Sequence, residues 1–269
     1  MIIFHRWYGT IAVASLVFLL ASSRVANALV LDWDSAAWTN GSLSKSYDLT
    51  GDAINDVTLN ITKRGNASVF TNDPTTGTMT PAVNQTLTGG LSPAQNSLMI
   101  AGNLFTNSDV TIQLSFTGTQ PGAFNVSFSI FDIDVTTNSD IINNIYGVAP
   151  DGTHIAATIT NVGSTVTLAG SGLAQTLTGN AASANNSSNG NATISFGSTI
   201  ITSVFFTFAN NAGAPRYQDI AIGDISFTPV PEVNPAAASA ISCLLALGAM
   251  TMFHRRAKLK ARRLPAARP

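Results

Sequence analysis

Polar and apolar residues alternate strictly along Phe124-Asn125-Val126-Ser127-Phe128-Ser129-Ile130. Successive side chains of a strand point to opposite faces, so this pattern demands a sheet with one buried and one wet face. Val57-Thr58-Leu59-Asn60-Ile61-Thr62 and the run from Val110 to Phe116 repeat it. Shorter β-branched runs predict further strands at 29–33, 45–49, 67–71, 97–101, 141–148, 154–161, 164–168, 192–196, 201–208 and 220–227. Turn residues separate them, and Pro150-Asp151-Gly152 predicts a hairpin. No helical period interrupts the pattern. The expectation is all-β: an antiparallel β-sandwich forming one domain over residues 29–229. The small, polar stretch Ala181 to Asn191 is expected to be a mobile loop within it.

The two ends follow different rules. His5 and Arg6 precede an apolar run from Thr10 to Ala21, and Ala26-Asn27-Ala28 supplies a small-x-small cleavage pattern. Residues 1–28 are therefore expected to be a signal peptide, a helix removed by signal peptidase after Ala28. At the other end, Ala236 to Phe253 is 18 residues without a charge, within the range of roughly 17–25 that spans a bilayer. Basic residues follow from Arg255, which predicts a transmembrane helix over 236–253 with a cytoplasmic tail.

Val230-Pro231-Glu232, the apolar helix, and Arg255-Arg256 together resemble a PEP-CTERM sorting signal covering residues 230–269. Val233 stands where the commoner pattern has a second proline, giving Pro-Glu-Val-Asn-Pro. The resemblance implies an exosortase-type processing enzyme as partner, cleavage near the Pro-Glu motif, and release to the cell surface or extracellular matrix. An ordinary tail anchor is the alternative. A second resemblance rests on Ser127-Phe-Ser-Ile-Phe131-Asp132-Ile-Asp134 and Ile220-Ala-Ile-Gly-Asp224-Ile-Ser-Phe227. It is to a domain of exported bacterial surface proteins and implies a jelly-roll-like sandwich with no established activity.

Charge narrows the function further. Between Leu29 and Pro229, four basic residues against thirteen aspartates leave a formal charge of −9, hidden in the overall value of −1. Such a domain is a poor partner for nucleic acid. Cys243, the single cysteine, falls in the apolar C-terminal run, so the exported part has no thiol nucleophile and no disulfide. His154 is its lone histidine, Glu232 lies in the sorting motif, and no G-x-S-x-G elbow occurs. These features point to a non-catalytic surface or matrix protein, with a carbohydrate-binding module as the alternative.

Two candidate sites remain. Asp132 and Asp134 share the strand parity of Phe124, Val126, Phe128 and Ile130, and Asp224 shares that of Ile220 and Ile222. Carboxylates at the ends of core-facing rows need partners. Either the three converge on a structural calcium ion, with Asp140 completing the shell, or they cap turns through backbone N–H groups. Trp33 shares the parity of Leu31 and is expected in the core. Trp38, beside Thr39-Asn40-Gly41, is the candidate ring for a glycan platform, against an edge-packing role.

Overall fold

The alternating segments pair into two antiparallel sheets that enclose one core. The structure, a computed structural model, describes residues 27–65, 69–104, 108–118, 122–135, 137–211 and 216–231. Sheet I runs β1 (Leu29–Leu31), β17 (Ile225–Pro229), β8 (Ala123–Phe131), β16 (Arg216–Ile222), β6 (Ser97–Leu104), β4 (Val69–Phe70). β14 (Ala192–Ser195) also pairs with β8 and carries β11 (Thr158–Thr160), while β5 (Ala82–Asn84) pairs with β6. Sheet II runs β12 (Val166–Ala169), β13 (Thr176–Gly179), β9 (Asp140–Val148), β15 (Ser203–Asn210), β7 (Asp109–Phe116), β3 (Val57–Arg64), β2 (Ser44–Tyr47). β10 (His154–Ala156) forms a hairpin with β9 around Pro150-Asp151-Gly152, where Gly152 takes a φ of +85°.

The apolar parity of each strand faces the opposite sheet. Leu59, Ile112, Leu114, Val204 and Phe206 from sheet II meet Ile100, Val126, Phe128, Ile130 and Ile220 from sheet I. Phe128 stacks on Phe206 at 5.7 Å between centroids, and Phe116 lies 5.0 Å from Phe227. Burying a large aliphatic or aromatic side chain contributes roughly 1.5–3 kcal/mol before chain entropy is set against it. Residues Ala26–Val230 make a compact unit, and the main core lies wholly within it, from Leu31 to Phe227. That unit buries its own core, as a domain does.

Four local features depart from the sequence expectation. The expected strand 154–161 divides: β10 joins sheet II, β11 joins sheet I, and buried Ala157 marks the crossing. Asn125 sits at a φ of +53° and bulges β8, so Ala123 and Val126 enter the core while Phe124 is only half-buried. The expected strand 220–227 breaks at Gly223-Asp224 into β16 and β17. The short strands β5 and β13 were not apparent in the sequence.

Among the described residues no helix is long and apolar enough to cross a membrane. The expected signal helix, the 236–253 segment, Glu232, Arg255 and Arg256 lie outside the described residues. Val230 is tied by its N–H to the Gly122 carbonyl (3.1 Å), and Pro231 is exposed.

Candidate functional site

The wet parity of β8 makes the floor of a groove on the outer face of sheet I. Ser127 and Ser129 alternate with buried Phe128, as the sequence period requires. Cross-strand pairing places Thr193 of β14 opposite Ser129, with hydroxyls 3.0 Å apart, and Ser226 of β17 opposite Ser127. Loops raise the two walls: Gly89-Gly90-Leu91 with Gln95 on one side, Asn161-Val162-Gly163 with Ser188, Asn189 and Asn191 on the other. The groove holds about 700 Å³, a volume suited to a small-molecule or oligomer segment.

The loop expected to be mobile is pinned instead. Thr88 N–H donates to the Asn185 carbonyl (3.0 Å), Ser183 N–H to Asp134 Oδ2 (2.8 Å), and Asn191 Nδ2 to the Gly89 carbonyl (2.8 Å). Asn191 Oδ1 is buried without a partner among the described residues. The two walls touch where the loop meets Gly90: a Cβ on Gly90 would lie 2.9 Å from the Ser188 nitrogen. The aromatic rings at the groove, Phe128 and Phe131, are 2% and 4% exposed, so neither offers a free face.

Asp224 lines this groove rather than joining Asp132 and Asp134. Ile222 and Ile225, three apart, both enter the core, so the intervening bend turns Asp224 out of the row assigned to it. Trp33, buried as expected, locks the bend from beneath: its N–H donates to Asp224 Oδ1 (3.0 Å) and its Nε1 to the Gly223 carbonyl (3.0 Å). Burial raises the Asp224 carboxyl above its usual range against the opposing Trp33 bond, and the charges of Asp32 and Asp34 add to the rise. Asp34 Oδ1 accepts from the N–H of Asn96, next to groove-lining Gln95. Among the described side chains no lysine or arginine lines the groove.

Asp132 and Asp134 gather with Asp140 and Asp219 at the rim. Asp132 takes a left-handed φ of +64°, which shifts the phase so that Ile133 follows Ile130 into the core. Asp134 N–H then donates to Asp140 Oδ2 (3.2 Å) and Asp140 N–H to the Asp134 carbonyl (2.9 Å). Burial, then the charges of Asp219 and Asp134, push Asp132 up to about 8. Burial likewise lifts Asp219 to about 6 against a bond from the Tyr217 hydroxyl, and raises Asp134 and Asp140. Among the described residues no three acidic, histidine or cysteine side chains are placed to hold a metal ion. The three aspartates named for calcium lie in two places: Asp132 and Asp134 at the rim, Asp224 in the groove.

Trp38 is half-buried rather than exposed. Its ring meets Trp33 edge-on at 6.3 Å, its Nε1 donates to the Pro81 carbonyl, and it is not among the groove residues. His154 is exposed on sheet II and stacks on Tyr146 at 4.3 Å. The groove itself escaped the sequence, because its walls come from turns far apart in the chain. The polar parity of β8, Ser127 and Ser129, was the available signal.

No family model matches this chain, and no curated protein matches it. Among solved structures it is similar to a family 11 carbohydrate-binding module from Clostridium thermocellum in complex with a β-1,3-1,4-mixed-linked tetrasaccharide. That similarity is 12% identity over 78% of this chain and 99% of that one, with a TM-score of 0.32. The family 11 module of the cellulase Lic26A-Cel5E of Clostridium thermocellum gives 12% identity, the same coverage and a TM-score of 0.31. The mannan-recognising module TmCBM27 gives 11% identity over 50% of this chain and 74% of that one, with a TM-score of 0.25. Scores at this level fall short of a shared fold.

Proposed function

We propose that this chain is an exported, non-catalytic protein of the cell surface or extracellular matrix whose sandwich binds glycan chains in the groove on sheet I. The groove carries the proposal. Its Ser, Thr and Asn side chains offer a dense mixture of donors and acceptors, which is what a polyhydroxylated ligand requires. A glycan array with residues 26–230 is expected to show binding, lost on Ser129→Tyr, which fills the floor. Absence of binding to every glycan would overturn the glycan proposal, and hydrolysis of any of them would overturn the non-catalytic one.

Export rests on the two chain ends. Signal peptidase is proposed to cut after Ala28, and an exosortase-type enzyme near Pro231-Glu232, with 236–253 holding the chain in the membrane until then. Val230 and exposed Pro231 follow the last strand, which ends at Pro229. Mass spectrometry of the surface-released protein is expected to find Leu29 as first residue and an end near Val230. A released form that keeps Arg255 to Pro269 would sink the sorting proposal.

A further inference from the structure

The groove has a sign. Its polar lining is hydroxyl and amide throughout, except for the carboxylate of Asp224. Asp32 and Asp34 stand behind that carboxylate, one on each side of Trp33 in sequence, and their charges act on it. The described lysines are occupied away from the groove: Lys45 Nζ donates to the Ala37 carbonyl, and Lys63 sits over the Phe70 ring at 5.2 Å. Arg64 is paired with Asp109. A ligand entering the groove therefore meets uncharged hydrogen-bonding groups and one negative charge, with no described cation to offset it. An acidic sugar placed there would lose hydration and gain repulsion, whereas a neutral sugar would keep a full set of partners.

We infer that Asp224 is the specificity-determining residue of the groove, making it a site for uncharged glycan chains and excluding polyuronates. The inference rests on the glycan-binding function proposed above and names the class of chain it takes. Recognition runs through hydroxyls and amides rather than ring stacking, because Phe128 and Phe131 are buried. Rejection by Asp224 is local, which separates it from the diffuse repulsion of a domain of charge −9.

The test measures affinities of residues 26–230 for hexamers of β-linked glucose, mannose and galactose, and for hexamers of glucuronate, mannuronate and galacturonate. At low ionic strength the best neutral hexamer is expected to bind at least about tenfold more tightly than its uronate. Asp224→Asn keeps an oxygen for the Trp33 N–H and removes the charge, and should narrow that ratio by about fivefold. Asp151→Asn makes the same change of net charge at the β9–β10 hairpin and should leave the ratio where it was. Uronates binding as tightly as neutral chains would overturn the inference, and so would an Asp224→Asn ratio no narrower than that of Asp151→Asn. In both cases neutral binding persists and the glycan-binding function stands. If none of the six hexamers binds, that function falls and the selectivity with it.

Discussion

Gly89 and Gly223 grip the two sides of one ring. A Cβ on Gly89 would stand 2.4 Å from Phe131 Cδ1, and one on Gly223 would stand 2.7 Å from Phe131 Cζ. Gly89 also has a φ of +59°, where an L side chain is strained. Phe131 cannot yield easily, because Leu87, Met99, Ala101 and Ala221 surround it in a small second core on the outer side of sheet I. Gly89→Ala is expected to destabilise the fold by about 2–3 kcal/mol, measured as a lowered urea midpoint at unchanged slope. It should weaken glycan binding as well, since Gly89 is a groove wall. A midpoint unchanged by the substitution would show that the ring has room to move.

At the scale of the strand, β8 carries both the clearest signal and the clearest surprise. Asn125 adopts a φ of +53° and is exposed, so its side chain contributes little beyond tolerance of a left-handed backbone. Asn125→Val should cost about 1–2 kcal/mol, while Asn125→Gly should be about neutral, as thermal unfolding of the two variants would reveal. Equal effects would place the cause in the side chain rather than the backbone. Alternation made β3, β7 and the middle of β8 legible in advance, and it put Trp33 in the core beside Leu31. It failed where the phase slips: between Ile130 and Ile133, where Asp132 turns left-handed, and between Ile222 and Ile225, where Gly223-Asp224 bends. A single left-handed residue or a glycine bend leaves no mark on composition, yet it redirects every carboxylate after it. That is why the three aspartates assigned to one site were divided between two. The groove was legible only as the serine half of an alternating strand.

For the molecule as a whole, the rim carboxylates set the dependence of stability on pH. An aspartate in the unfolded chain titrates near 3.9, whereas Asp132 is pushed up to about 8 and Asp219 to about 6 in the fold. Between those limits the folded state holds more protons than the unfolded one, so stability falls as pH rises from about 4 to 8. Asp73 acts the other way: hydroxyls of Thr76 and Thr86 and the Thr75 N–H outweigh its burial and lower its pKa. Its contribution is lost only as pH falls below the usual carboxylate range and is constant above it. The melting temperature of residues 26–230 is therefore expected to drop by about 5 °C or more between pH 5 and pH 9. Asp132→Asn, which suits a left-handed backbone, should flatten much of that slope. A melting temperature that stays level across this interval would mean the rim is ionised in the native state.

β17 has a mechanical consequence. Ser226 contributes to the groove floor, and the same strand ends at Pro229, two residues before exposed Pro231. Were a glycan held in the groove as proposed, tension on it would pass along β17 toward Pro231 without crossing between the sheets. The ladders that hold β17 to β1 and β8 run across the strand, so a pull along it loads them together in shear rather than opening them one by one. Under the proposed function, anchor and grip would share one strand, and drag would be resisted with the sandwich still closed.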